Sequence, residues 1–165
     1  MRVDQQMELP DPMEANNRTY PTRPWVAVGV VIMKDGKILL VQRGKEPGLG
    51  LWAVPGGMVE LGETSREAAA REALEETGLE VEVGDVVWIA DSLVHDDQGR
   101  IRYHNVIVDF VATAPPDGDP KCADDAMDVR WIGPEDLSDI EVTKSMWPLL
   151  EHVFKRSLDG NPMAR

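Results

Sequence analysis

The sequence predicts an α/β fold, a layered domain in which β-strands pack against two helices. Residues 25–43 contain two β-rich runs on either side of the turn signal Asp35-Gly36, which is typical of a hairpin. Residues 65–77 lie between residue types that start and end helices. Apolar residues recur at helical spacing from Leu149 to Leu158, which indicates a second, amphipathic helix.

Length, composition and charge narrow the class of protein. The chain has 165 residues, 42% of them hydrophobic, which suits one globular domain. Its formal net charge of −13 disfavours nucleic-acid binding, because that affinity comes mainly from Lys and Arg. The single Cys122 cannot form an intrachain disulfide, and we expect a cytoplasmic protein. The longest apolar run, residues 25–33, is too short for a membrane helix, so no membrane partner is expected.

The first part of the chain can be divided in order. Residues 1–23 are polar, rich in proline and without periodicity, which predicts an extended arm before a domain at residues 24–158. After the hairpin, the Gly- and Pro-rich segment 44–57 predicts a loop with at most a short strand. Thr64 and Glu67 have the spacing of a capping box, and Gly78 suits a left-handed residue at a helix end. The first helix is therefore predicted from about residue 65 to 77.

The second half of the chain adds strands to the sheet and then the second helix. The predicted segments are a strand at 79–90, a turn-rich connection at 91–100, a strand at 101–114, a surface loop at 114–126, a short strand at 127–132, the C-terminal helix and a tail at 159–165. Because loops carry most contacts that distinguish substrates, we expect substrate choice to reside in residues 91–99 and 114–126.

The first helix is rich in glutamate, and charge spacing divides those glutamates into two groups. Arg71 is four residues from both Glu67 and Glu75, so each of these has an expected partner within the helix. Glu72 and Glu76 have no such partner and repel each other. A hard divalent cation bound by their carboxylates would reverse that cost, whereas an acidic face in solvent is the alternative.

Helical periodicity also predicts which side of this helix meets the sheet. The side expected to lie against the sheet consists of Ala70, Ala73, Leu74 and Thr77. Ala68 and Ala69 lie one turn before the glutamates, and we expect them to leave that surface open.

The glutamate-rich stretch resembles the signature of the Nudix family. In that signature a glycine, five residues, a glutamate and seven residues precede Arg-Glu, and Glu-Glu then precedes a glycine. The matching positions are Gly57, Glu63, Arg71, Glu72, Glu75, Glu76 and Gly78. Ala73 replaces the bulky aliphatic residue usual after Arg-Glu, a departure that affects packing. The resemblance covers about residues 24–156 and implies an α/β/α sandwich with a mixed β-sheet.

The resemblance implies a metal cofactor, Mg²⁺ with Mn²⁺ as an alternative. Glu72 and Glu76 are implied as the principal metal ligands, and Glu75 as a further ligand or a base. The backbone carbonyl of Gly56 is implied as another ligand. Asp109 lies where some relatives carry a metal-binding glutamate, with a solvated aspartate at a strand edge as the alternative reading. The same two readings apply to Asp124 and Asp125 in the long loop.

Further residues receive roles from the same resemblance. Glu63 is implied as an orienting residue or as the base that activates water, and Arg71 as the residue that orients the carboxylates. Arg43, at the end of a strand, is expected to contact phosphate, with a surface salt bridge as the alternative. His104 and Tyr103 face opposite sides of their strand, and one of them, with His104 as the candidate, is expected to line the substrate pocket.

The activity implied is hydrolysis of a nucleoside diphosphate linked to another moiety. ADP-ribose is the leading candidate, giving AMP and ribose 5-phosphate. The ADP-ribose subgroup often carries a proline where His95 stands, so a nucleoside triphosphate pyrophosphatase of nucleotide-pool cleansing is an alternative. A non-catalytic nucleotide-binding sensor is the alternative from another class, and the intact glutamates disfavour it. The expected partner is a nucleotide-derived small molecule, and a homodimer is kept as an alternative to a monomer.

Overall fold

A computed structural model describes residues 18–158, with side chains to residue 155. The elements in chain order are β1 (Trp25–Lys34), β2 (Lys37–Arg43), β3 (Trp52–Ala53), β4 (Gly56–Met58), α1 (Ser65–Thr77), β5 (Glu82–His95), β6 (Ile101–Thr113), β7 (Ala126–Ile132), a 3-10 helix (Pro134–Asp139) and α2 (Met146–Leu158). The strands and both helices confirm the predicted α/β class, whereas the 3-10 helix was not predicted.

The strands form a mixed sheet with β1 near its centre. The order is β3-β2-β1-β6-β5, with β4 also paired to β1 and β7 to β2. The β1–β6 pair is parallel, and the other pairs are antiparallel. In one row across the sheet, Gly29 of β1 lies between Gly56 of β4 and Asp109 of β6. This row connects the segment before α1 to the middle of β6.

The two helices cover opposite faces of the sheet. Alternate residues of β1 enter two separate apolar clusters, as expected for a strand buried on both sides. Val30 packs in the cluster that contains the alanines of α1, whereas Val31 packs in the cluster that contains Leu149 and Val153 of α2. The molecule is therefore an α/β/α sandwich, as predicted.

The ends of α1 follow from its flanking residues. The Thr64 side chain accepts a hydrogen bond from the backbone N–H of Glu67, and the Glu67 carboxylate accepts one from the N–H of Thr64. Gly78 ends the helix with a φ of 69°, a left-handed conformation that favours glycine. The predicted helix bounds and the capping box are both confirmed.

The side of α1 that meets the sheet agrees with the prediction only in part, since Ala73 and Thr77 are buried as predicted. Ala68 and Ala69, expected on an open surface, are fully buried, and Leu74, expected against the sheet, is exposed. The helix is rotated so that Arg71 and Glu72 lie beside β4, where both make contacts. Contacts of polar residues with β4 thus determine the rotation, which helical periodicity alone does not reveal.

Strand β5 is longer than predicted. Residues 91–95, expected to begin a loop, continue the strand and pair with residues 101–106 of β6. The connection shrinks to 96–100, where Asp96 accepts hydrogen bonds from the backbone N–H groups of Gln98 and Arg100. Because β6 offers a paired backbone along its whole length, the polar residues of 91–95 remain in the ladder.

The chain before β1 contacts this connection. Residues 18–24 contain no helix or strand. The Tyr20 N–H donates to the Arg102 carbonyl, and the Tyr20 hydroxyl donates to Asp96, both over 2.9 Å. The rest of the predicted arm, residues 1–17, the predicted tail and the Leu158 side chain lie outside the described residues. Within residues 18–158 no helix has the length and apolar character needed to cross a membrane.

Candidate metal and active site

Two glutamates of α1 meet the backbone of β4. The N–H of Gly56 donates a 2.9 Å hydrogen bond to Oε2 of Glu76. At the next residue, a β-carbon on Gly57 would collide with the carboxylate of Glu72. A larger residue at position 57 would therefore have to displace the carboxylate of Glu72. The edge of β4 and one side of α1 therefore bring Gly56, Glu72 and Glu76 together.

Arg71 joins the remaining glutamates of the site. Its guanidinium donates to Glu63 over 2.6 and 3.1 Å, to Glu72 over 2.8 Å and to Glu75 over 3.1 Å. One further hydrogen bond, of 3.1 Å, reaches the backbone carbonyl of Met58 in β4. Arginine suits this position because its planar fork offers five donors in fixed directions. Arg71 thus contacts three glutamates of the signature, and its role in orienting them stays a prediction.

Two expectations from charge spacing are wrong, namely that Glu67 pairs with Arg71 and that Glu72 has no partner. Glu67 does not pair with Arg71, because its carboxylate is held at the helix start by Thr64. Glu72 does have a partner, since Arg71 turns toward it instead. Glu63, eight residues before Arg71, takes the position expected for Glu67. Spacing within the helix could not show this, because Glu63 comes from the loop before it.

Burial, neighbouring charges and hydrogen bonds shift the pKa values of these carboxylates in different directions. Burial raises the pKa of Glu76 to about 7, and the charges of Glu72 and Asp124 add to the rise. Burial also raises the pKa of Glu72, although its hydrogen bond with Arg71 opposes the rise. The pKa of Glu63 is lowered, chiefly by its hydrogen bonds with Arg71. Negative charge is thus most costly at Glu72 and Glu76.

The long loop after β6 completes the acidic cluster. The N–H groups of Lys121 and Ala123 donate to the carbonyls of Thr77 and Glu76, so the loop binds the last turn of α1. Asp124, which has a φ of 50°, follows directly, and its charge raises the pKa of both Glu72 and Glu76. The many Pro, Gly and Asp residues in 114–126 predicted the loop but did not predict that it binds α1.

Asp125 and Arg43, two further charged residues of this region, have different partners. Asp125 pairs with Lys45 rather than pointing to the glutamates. Arg43 is half-buried at the end of β2, where its Nε donates to the Pro47 carbonyl over 2.9 Å. The positive charge of Arg43 lowers the pKa of Glu76, so it lies near enough to act on that carboxylate. Arg43 therefore lies near the cluster, and its contact with phosphate stays a prediction.

Asp109 does not share the surface of these glutamates. Its neighbour Phe110 packs in the cluster of α1, so alternation along β6 directs Asp109 to the opposite face. Only 3% of Asp109 is exposed, and burial raises its pKa to about 7. The alternative reading of Asp109 as a solvated aspartate is therefore wrong, and its role as a metal ligand stays a prediction.

His104 is not brought to the carboxylate cluster. It lies on β6 opposite Leu93, five residues before Asp109, which corresponds to roughly 17 Å along the strand. Both His104 and Tyr103 are half-buried. A substrate contact at His104 would have to come from a part of the ligand distant from the glutamates.

The donor set at β4 and α1 fits a hard divalent cation. Such ions prefer oxygen ligands, and Glu72, Glu75, Glu76 and the Gly56 carbonyl all supply oxygen. In residues 18–158 no three His, Cys, Asp or Glu side chains are already gathered at metal-binding distance. Arg71 holds Glu72 and Glu75 at its guanidinium, so binding an ion there requires these carboxylates to rearrange.

Comparisons with known proteins are consistent with this geometry. A family model described as the NUDIX domain matches residues 23–153. An ADP-ribose pyrophosphatase of Methanocaldococcus jannaschii is 39% identical over 109 residues, which cover 66% of this chain and 62% of that protein. A CTP pyrophosphohydrolase of Escherichia coli (strain K12) is 35% identical over 127 residues, 75% of this chain and 87% of that protein.

One solved structure adds ligands to the comparison. It is a bifunctional NMN adenylyltransferase/ADP ribose pyrophosphatase from Francisella tularensis, complexed with AMP and a Mn ion. Its sequence is 29% identical to this chain, and the match has a TM-score of 0.58 over 79% of this chain and 42% of that one.

Proposed function

The chain belongs to the NUDIX family and is a Nudix pyrophosphohydrolase, and from that premise we propose that it cleaves ADP-ribose to AMP and ribose 5-phosphate with a divalent metal. The observation that carries the proposal is the meeting of Glu72 and Glu76 with the Gly56 edge of β4. Burial is the main cause of their raised pKa values and neighbouring carboxylates add to the rise, so negative charge here is costly without a cation.

The residues at this edge would hold the metal. Glu72, Glu76 and the Gly56 carbonyl are the proposed ligands of Mg²⁺ or Mn²⁺, and Glu75 is left to act on water. Such an ion, when bound, would supply positive charge against the phosphate oxygens of the substrate. Water then adds across the phosphoric anhydride, and one P–O bond of the bridge breaks to give two monophosphates.

Glu75 is a better candidate than Glu63 for the base that takes a proton from water. Both oxygens of Glu63 accept hydrogen bonds from Arg71, and one also accepts from the Glu60 N–H. A carboxylate stabilised in this way is a weak base, as its lowered pKa shows. Glu75 makes one hydrogen bond with Arg71, and its side chain is 44% exposed. We assign Glu63 to positioning Arg71.

Arg43 is the proposed contact for substrate phosphate. It is close enough to Glu76 to lower the pKa of that carboxylate, and a guanidinium matches the geometry of phosphate oxygens. ADP-ribose is favoured as substrate because the archaeal relative is an ADP-ribose pyrophosphatase. The structure with AMP belongs to a protein with the same named activity.

A nucleoside triphosphate is the second candidate substrate. The observation that favours it is the 35% identity to a CTP pyrophosphohydrolase over most of both chains. A non-catalytic sensor is disfavoured, because Glu63, Glu72 and Glu75 are all joined to Arg71 and Glu76 is bound to β4.

A substrate panel tests the proposal. Purified protein is incubated with ADP-ribose, CTP, ATP and dinucleotides in Mg²⁺ or Mn²⁺, and the products are separated by chromatography. The highest kcat/KM is expected for ADP-ribose, with AMP and ribose 5-phosphate in equal amounts. Pyrophosphate release from CTP at higher kcat/KM would favour the second candidate, and no hydrolysis of any compound would favour the sensor.

A further inference from the structure

Strand β5 ends the sheet and has one side that no described strand covers. Along its 14 residues it pairs with β6 on one side, and within residues 18–158 no strand pairs with its other side. The N–H and C=O groups of such an edge are free to pair with a further strand. Proteins that stay monomeric usually interrupt a long edge with bulges, prolines or charges, so the residues of this edge decide what it can bind.

The middle of this edge carries little that would prevent pairing. Register shifts interrupt the pairing with β6 before Trp88 and after Val94, whereas every residue between these two has its β6 partner in regular register. The run Trp88–Val94 contains no proline and one charged residue, Asp91. It is therefore a regular strand of roughly 20 Å. We refer to the outer side of Trp88–Val94 as the β5 edge.

Apolar side chains are exposed beside the β5 edge. Ile89 pairs with Val108, which packs in the cluster of the α1 alanines, so Ile89 points to the α1 face of the sheet. Leu93, four residues later, points to the same face, yet Ile89 is 62% exposed and Leu93 is 46% exposed. Val94 is exposed on the opposite face. An exposed apolar row along a free strand edge is typical of an interaction surface.

The exposed area of β5 is of the size that a protein interface needs. Summed over its residues, the strand exposes roughly 700 Å², near the ~800 Å² per partner of a standard interface. Burial of aliphatic surface would stabilise a complex here, and backbone hydrogen bonds would fix the direction of approach. The chemistry of the β5 edge therefore fits another β-strand rather than a small molecule or a helix.

Segments of this chain outside residues 18–158 are poorly suited to be that strand. Residues 1–17 are interrupted by Pro10 and Pro12, and residues 159–165 contain Pro162. Proline lacks the N–H that a ladder requires, and it is largely confined to strand ends, bulges and outer edges. The β5 edge of a second copy, in contrast, has the same length, the same free backbone groups and the same apolar row.

The start of the described chain also leads away from the β5 edge. Tyr20 is hydrogen-bonded at the turn that follows β5. Arg18 lies toward the end of β2, near Lys45, because the hydrogen bond with Asp125 raises the pKa of Lys45 and the charge of Arg18 opposes that rise. In the sheet order β2 is on the far side of β1 from β5. This position favours a second copy over residues 1–17 as the partner of the β5 edge.

We propose that two copies of the chain associate through the β5 edge, with the two strands antiparallel across a two-fold axis so that the sheet continues from one copy to the other. In such a closed arrangement both copies present the same surface, so the free backbone groups and the apolar row of each meet those of the other. The interface lies at the outer strand of the sheet, two strands from the β1–β4 pair, and it does not depend on the proposed function.

The charge of the chain gives this association a characteristic salt dependence. Each copy has a formal net charge of −13, and Asp91 lies within the interface. Two such copies repel, and salt screens the repulsion. The dimer Kd is therefore expected to fall about tenfold between about 0.05 and 0.5 M NaCl. An interface held by ion pairs would instead weaken as salt is added.

Sedimentation velocity of the full chain over a range of protein concentrations tests the proposal. Ile89→Lys places a charge at the most exposed apolar residue of β5, and Leu93→Lys repeats the change in the same row. Leu61→Lys is the matched control, because Leu61 is a fully exposed leucine in the loop before α1. Urea unfolding of each variant shows whether it is folded.

Wild type and Leu61→Lys are expected to form dimers, whereas Ile89→Lys and Leu93→Lys should each raise the dimer Kd at least about tenfold. A wild-type protein that is monomeric up to about 100 µM in about 0.5 M NaCl would overturn the proposal. A dimer that survives both β5 substitutions, a dimer that Leu61→Lys disrupts equally, or a Kd that rises with salt would overturn it as well.

Hydrogen exchange of the wild-type protein decides the matter even where the lysine variants do not fold. The amides of 88–94 should exchange more slowly at protein concentrations above the dimer Kd than below it, because pairing protects them. Slow exchange that is the same at all concentrations would assign the β5 edge to a segment of the same chain and refute the dimer. No substrate enters these measurements, so failure of the proposed function would leave their result unchanged.

Discussion

The backbone N–H of Gly56 donates a hydrogen bond to Oε2 of Glu76 over 2.9 Å. This contact fixes the glutamate at the edge of β4, where the Gly56 carbonyl is also available. Each of the three residues Gly56, Gly29 and Asp109 then lies beside the next across the sheet. One row of backbone thus connects the proposed phosphate site to the buried Asp109.

Replacement of Glu76 by glutamine tests its role as a metal ligand. The variant removes one negative charge but keeps an oxygen that can accept the Gly56 hydrogen bond, so the fold should be retained. We expect kcat to fall by roughly two to four orders of magnitude, similar to the loss of a major charge-stabilising group. Glu80→Gln is the matched control, because Glu80 is exposed just beyond α1. Equal losses in the two variants would show that the position of the charge does not matter.

Arg71→Lys tests whether the geometry of the guanidinium matters beyond its charge. Lysine keeps the charge but cannot donate to Glu63, Glu72 and the Met58 carbonyl at once. We expect kcat/KM to fall about tenfold to a hundredfold and the Mg²⁺ concentration for half-maximal activity to rise. Steady-state kinetics at several Mg²⁺ concentrations measures both. Wild-type kcat/KM and Mg²⁺ dependence in the lysine variant would show that only the positive charge of Arg71 matters.

Glu67→Ala separates helix capping from catalysis. Because Glu67 closes the capping box with Thr64, its loss should lower the free energy of unfolding by about 1 kcal/mol. The ADP-ribose kcat/KM should stay within about twofold of wild type, since Glu67 makes no hydrogen bond with Arg71. Urea unfolding and kinetics on the same preparation give the two values. A large fall in kcat/KM at unchanged stability would place Glu67 in the active site.

Asp109→Asn should change the pH dependence of stability. The pKa of Asp109, about 7 in the folded protein, lies above its ordinary value of 3.8. Between these values the folded state binds more protons than the unfolded state, so stability falls as pH rises. The asparagine variant lacks this loss and should exceed wild type by about 1–3 kcal/mol at pH 8, with little difference near pH 4. Urea unfolding across this range measures the difference in the free energy of unfolding. A difference that does not change with pH would contradict a raised pKa for Asp109 in the folded protein.

Residues with local physical effects made much of the fold predictable. Thr64, Glu67 and Gly78 determine the ends of α1 through hydrogen bonds and backbone conformation that involve only near neighbours. Asp35 and Gly36 both have positive φ in the turn between β1 and β2, as the hairpin signal requires. The candidate metal-binding glutamates were predictable because the family signature specifies their spacing.

Features that depend on distant segments were not predictable in the same way. The rotation of α1 depends on its contacts with β4, and the length of β5 depends on β6. Asp124 reaches the site because the backbone of its loop binds the last turn of α1. The direction of Asp109 could be deduced only once Phe110 was seen to pack against α1.

Hydrolysis of ADP-ribose by the wild-type protein in Mg²⁺, in excess EDTA, and after Mg²⁺ is restored tests the central claim most directly. The claim predicts that AMP and ribose 5-phosphate form in Mg²⁺, that turnover stops with EDTA, and that it returns when Mg²⁺ again exceeds the chelator. The reason is that substrate phosphates and the Glu72–Glu76 carboxylates repel each other without a cation. Undiminished turnover in excess EDTA would contradict the account.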